Sequence, residues 1–93
     1  MITALVSIVV EPRRIPEVAQ AVVDIEGIDQ VFSVTGDVDL SAVVRVRAHE
    51  DLAGVIAGQL SKVEGVLDTT TNIAFKTYSK QDLEAGFDLG LDG

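Results

Sequence analysis

The chain has 93 residues, 47% of them hydrophobic, with 15 acidic against 7 basic side chains and a net charge of −8. That describes one small domain, too apolar to be disordered, for which oligomerisation would help cover the apolar excess. The acidic balance disfavours nucleic-acid backbones, the absence of cysteine excludes disulfides and thiolate chemistry, and no apolar run reaches the ~20 residues of a membrane-spanning helix. The apolar N-terminus lacks the basic stretch of a signal peptide, so the expected compartment is the cytoplasm.

Ile2 to Val10 is an apolar run rich in β-branched residues and predicts a buried strand. Glu11-Pro12-Arg13-Arg14 breaks it, and Pro16 fits the first turn of a helix, where its missing N–H costs nothing. Ile15, Val18, Ala19, Val22 and Ile25 then repeat at helical spacing until Gly27. Ile28 to Thr35 and Asp39 to Ala48 predict two more strands, joined by a very short acidic turn. Gly36 lets the backbone reverse there, with Asp37 and Asp39 expected at the exposed tip. Asp51 suits the start of a second helix, whose face is Leu52, Val55, Ile56, Leu60 and Val63; Gly54 and Gly58 weaken it and Gly65 ends it. Val66 to Tyr78 predicts a long fourth strand. The chain therefore divides into a folded domain over residues 1–79 and an acidic, Gly-rich C-terminal tail over 80–93, expected to be largely mobile.

The two halves echo each other. Ile25-Glu26-Gly27-Ile28 matches Val63-Glu64-Gly65-Val66, and the same offset of 65 − 27 = 38 relates Val22 to Leu60, Val18 to Ile56 and Val6 to Val44. A βαβ unit followed by another gives an α+β, ferredoxin-like βαββαβ fold: a four-stranded antiparallel sheet with two helices on one face. Alternation along the strands puts Ile2, Ala4, Val6 and Ile8 under the helices, with Leu40, Ala42, Val44 and Val46, with Ile28, Phe32 and Val34, and with Ile73 and Phe75. Leu5, Val9, Val31, Val43, Ala74 and Tyr78 then fall on the uncovered face. An apolar face with no helix to cover it predicts a sheet-to-sheet homodimer.

Little in the chain suits catalysis. His49 is the single histidine and has no triad partner near it in sequence, no phosphate-binding glycine loop occurs, and carboxylates at the exposed tip of a hairpin lack the cleft that acid–base catalysis requires. No catalytic residue, metal or cofactor is expected. What remains is a polar pairing. Asp37 or Asp39 can accept from an ammonium, while the hydroxyls of Asp68-Thr69-Thr70-Thr71-Asn72 and the turn N–H groups can donate to a carboxylate. Together they would suit a small zwitterion such as an amino acid. The bland alternative for the threonines is a β-run, since Thr favours strands.

Thr35-Gly36-Asp37-Val38-Asp39-Leu40 and Val63-Glu64-Gly65-Val66-Leu67-Asp68-Thr69-Thr70-Thr71, in that order and at that separation, resemble the effector domain of the Lrp/AsnC regulators, the regulation-of-amino-acid-metabolism (RAM) domain. The resemblance covers residues 2 to 79. It implies a non-enzymatic effector-binding domain that pairs through its sheets, with dimers often assembling into octamers. It also implies an amino acid or related small molecule bound at the seam between dimers. Gly36, Asp37, Asp39, Thr69, Thr70 and Thr71 are the ligand-binding residues so implied. Members of the family usually begin with a helix-turn-helix domain, and this sequence opens directly on the first strand. It therefore resembles a stand-alone effector domain, whose link to transcription would run through a partner such as a full-length Lrp/AsnC-type regulator. The alternative is a ligand-free module that hetero-oligomerises with such regulators. Dimeric α+β-barrel enzymes share the element order, but the lone His49 and the scarcity of aromatic residues argue against one.

Overall fold

A computed structural model of the chain describes residues 1–80. Its elements run β1 (Ile2–Val10), α1 (Ile15–Val23), β2 (Ile28–Ser33), β3 (Leu40–Val46), α2 (His49–Ile56) and β4 (Val66–Ile73), with 3-10 turns at Pro12–Arg14 and Leu60–Lys62. The sheet order is β2-β3-β1-β4 and every neighbouring pair is antiparallel. This is the ferredoxin-like α+β arrangement that the internal repeat predicts. Among the described residues no helix is long and apolar enough to cross a membrane.

One core holds the layers together. Alternate residues of the two central strands are buried: Ala4, Val6, Ile8 and Val10 on β1, and Leu40, Ala42, Val44 and Val46 on β3. They pack with Val18 and Val22 of α1, Leu52 and Val55 of α2, and Leu60. Each half is closed by its glycine. Gly27 and Gly65 both stand at φ +101°, a conformation that side chains disfavour. A Cβ on Gly65 would lie 2.8 Å from Val18 Cγ2, so the second half's turn seats against the first half's helix.

The elements depart from the sequence expectations in three places. First, α2 ends at Ile56 instead of running to Gly65. Gly58 N–H bonds to Ala53 O at 3.0 Å, five residues back, and its own backbone lies so close to Gly54 O that a Cβ would come within 2.5 Å. The helix unwinds at this glycine, and a 3-10 turn then carries Leu60 back into the core.

Second, β2 carries a bulge. Ile28 pairs with Val44, but Gln30 pairs with Val43, leaving Asp29 as the extra residue. Every later side chain on β2 changes face. Val31, opposite buried Ala42, packs against the core, whereas Phe32, opposite Ser41, is 48% exposed on the uncovered face. The expected places of Val31 and Phe32 are thus exchanged. Third, β4 stops at Ile73, well short of Tyr78. Ala74 still donates its N–H to Thr3 O at 2.9 Å, but Phe75 lies beyond the strand, fully exposed instead of under the helices, and Tyr78 beyond it stacks under the Lys76 ammonium. The tail expected over 80–93 lies, after Lys80, outside the described residues.

Candidate functional site

The β2–β3 connection runs from Val34 to Asp39. It is tied by Val34 N–H donating to Asp39 O at 3.1 Å and reverses at Gly36, whose φ is +110°. A Cβ at Gly36 would meet nothing within 4 Å, so the glycine serves the backbone and not a packing contact.

The two aspartates of this turn have different situations. Asp37 is exposed and makes no hydrogen bond or ion pair among the described residues. Asp39 is half-buried and committed. Its N–H donates to Ile8 O at 3.0 Å, and its Oδ2 accepts the Val10 N–H at 2.8 Å. The β1–β4 register shifts between Val9 and Val10, where Leu67 is the residue left over. There the Asp39 carboxylate supplies an acceptor that the irregular ladder does not, and satisfies a donor on a buried residue. The sequence pattern predicts both carboxylates at the free tip. The aspartate's bond to a strand 29 residues away carries no local signal.

The threonines lie on the other side of the same strand. Thr69 pairs with Ile8 and Thr71 with Val6, so both point to the helix side of edge strand β4; Thr70 pairs with Ser7 and points to the uncovered face. Asp39 and Thr69 therefore flank Ile8 from opposite sides, roughly 10 Å apart as two interstrand spacings. Turn and threonines converge on one end of the sheet, but no hydrogen bond joins them.

A groove of about 560 Å³ opens at the opposite end of the sheet, where Met1, Gly27, Arg47, Glu50, Gly54 and Val55 help to line it. A smaller hollow of about 230 Å³ adjoins it at Gly27 and Arg45. None of the six ligand-binding residues expected from the sequence lines either. The groove's only sequence signal is Gly54, a glycine inside a helical pattern. His49 is exposed at the start of α2, and the described residues contain no cluster of three or more histidine or acidic side chains able to hold a metal.

Residues 3–83 match the family model of the Lrp/AsnC ligand binding domain. A Bacillus subtilis protein named as an uncharacterized HTH-type transcriptional regulator, YugG, is 31% identical over 80 residues, which make up 83% of this chain and 48% of the relative. The chain spans about half the length of the curated relatives it matches. Among solved structures, TTHA0845 from Thermus thermophilus superposes with a TM-score of 0.81 at 36% identity, covering 86% of this chain and all of that one. A feast or famine regulatory protein from M. tuberculosis, solved with L-methionine, shares the fold at a TM-score of 0.72 and 23% identity, covering 87% of this chain and 55% of that one. The chain belongs to the Lrp/AsnC ligand-binding domain family.

Proposed function

We propose that this chain is a non-enzymatic, oligomeric effector-sensing domain that binds an amino acid or a close analogue and acts on transcription through a partner regulator. The family match over residues 3–83 carries the reading, and the methionine complex of a structural neighbour gives it a ligand class. The chain's own groups support it. Asp37 offers an uncommitted carboxylate for an ammonium, the turn at Gly36 offers backbone groups, and Thr69 and Thr71 offer hydroxyls on the same end of the sheet. Asp39 contributes by holding the turn against β1. These groups line neither of the two hollows described above, and in this reading a seam between chains completes the site. Thr70, on the opposite face, belongs with the sheet-to-sheet contact of a homodimer, together with Leu5, Phe32 and Val43.

Thermal denaturation against the twenty amino acids, with the mass of the assembly measured in parallel, tests the reading. At a hundredfold excess over Kd a ligand adds about 2.7 kcal/mol. Stabilisation by at least one amino acid, reduced in Asp37→Ala, is the expected result. Silence from all twenty would overturn it.

A further inference from the structure

The groove at the far end of the sheet has features that neither the fold nor the turn site explains. Its floor is apolar: Val46 and Val55 line it and are each only 7% exposed. Its rim carries charges of both signs without partners. Arg47, Glu26 and Glu50 line it and make no ion pair among the described residues. Arg45, between the groove and the adjoining hollow, is held only loosely, its Nε 3.8 Å from Asp29 Oδ2 with both side chains about half exposed. Asp51 differs from its neighbours, because its carboxylate accepts the Ala48 N–H at 3.3 Å and so caps α2.

Gly54 is the second observation. A glycine inside a helix costs about 1 kcal/mol relative to alanine. Gly27 and Gly65 lie in turns, where positive φ and close contacts call for glycine, and Gly58, past the end of α2, is accounted for by its contact to Gly54 O. Gly54 has neither: its φ is ordinary and a Cβ would meet nothing within 4 Å. The space that its missing side chain leaves is the groove itself. A helix backbone left bare over an apolar floor, ringed by unpaired charges of both signs, is suited to the close approach of a small dipolar molecule.

We propose that this groove is a second ligand site, separate from the turn, which takes a zwitterion of amino-acid to dipeptide size. Arg47, assisted by Arg45, receives the carboxylate; Glu26 and Glu50 receive the ammonium; Val46 and Val55 receive the apolar part. A volume of about 560 Å³ is within the usual range of small-molecule sites. The site lies within one chain and does not depend on the seam between chains.

The test is a titration of the isotope-labelled chain with the twenty amino acids and glycyl-glycine, following the backbone amides of Gly27, Val46, Gly54 and Val55. At least one probe should move these amides saturably, and Asp37→Ala should leave the movement intact. Gly54→Leu should abolish it by filling the groove from a position with room for a side chain. Arg47→Gln should weaken it about tenfold or more. The N-acetyl and carboxamide derivatives of the active probe should both lose binding, because each removes one of the two charges. The proposal is overturned if no probe moves the groove amides, if Gly54→Leu binds as the parent does, or if either blocked derivative binds undiminished. Because the turn amides are read in the same spectra, a silent groove with a responding turn refutes this site alone, and the reverse refutes only the turn.

Discussion

Asp39→Ala should destabilise the domain by about 1–3 kcal/mol, because it strands the N–H of Val10, a residue that is 1% exposed. The bond removed is 2.8 Å long and its acceptor is a carboxylate. It spans 29 residues and pins the β2–β3 turn to β1 where the β1–β4 ladder loses register. In a domain of this size 1 kcal/mol moves Tm by about 4–8 °C, so a loss of at least 4 °C is expected. Asp39→Asn keeps an oxygen in the same place and should lose less than half as much as Asp39→Ala. Asp37→Ala, in the same turn, removes no contact and should stay within about 0.5 kcal/mol of the parent. Urea unfolding of the three variants at one fixed protein concentration makes the comparison, since association would make the midpoint depend on concentration. Equal losses for Ala and Asn, or a loss below about 0.5 kcal/mol for Ala, would refute the structural role. The result bears on ligand binding too. A binding defect in Asp39→Ala accompanied by this destabilisation points to turn placement, whereas a defect in Asp37→Ala without destabilisation points to contact.

Gly65→Ala forces a side chain into φ +101° and 2.8 Å from Val18 Cγ2, and should cost roughly 1–3 kcal/mol in thermal denaturation; adding Val18→Ala should recover part of it, and strictly additive losses would contradict the clash. Gly36→Ala meets the same backbone penalty with no neighbour within 4 Å, so its loss should be about 1 kcal/mol and smaller than that of Gly65→Ala. Phe32→Glu places a charge on the uncovered face and should halve the mass of the assembly by light scattering; an unchanged mass would remove Phe32 from the interface.

The repeat made the fold legible. The matched Glu-Gly steps, the β-branched runs and the alternation on β1 and β3 are local patterns, and the residues they assigned to the core on those two strands are buried or nearly so. Two kinds of feature stayed hidden. One is the bulge. An extra residue at Asp29 or Leu67 looks the same as any other in a period-two pattern, yet it inverts everything after it, which is why Val31 and Phe32 trade faces. The other is partnership at long range. Nothing near Asp39 in sequence shows that its carboxylate is taken by Val10, and nothing near Gly54 shows that the space beside it is open. The candidate turn was visible because a glycine beside acidic residues is itself a turn signal. The far groove was not, because its lining comes from the N-terminus, the α1–β2 turn, β3 and α2.

The bulge at Leu67 also makes the threonine cluster separable into two roles. With the register fixed by Thr69 opposite Ile8, Thr69 and Thr71 share the helix side of the edge strand, while Thr70 shares the open face with Ser7, and Asn72 with Leu5. A sheet-to-sheet partner would approach Thr70, and a ligand held at the sheet's edge beside the turn would meet Thr69 and Thr71. Valine is close to threonine in shape and suits a strand, so Thr→Val removes the hydroxyl and little else. Thr69→Val and Thr71→Val should each weaken effector binding by about threefold to tenfold, the worth of one ordinary hydrogen bond, and leave the assembly mass unchanged. Thr70→Val should leave the Kd alone. Calorimetric titration with the stabilising amino acid decides between the faces. A loss confined to Thr70→Val would move the ligand from the edge of the sheet to the space between two facing sheets.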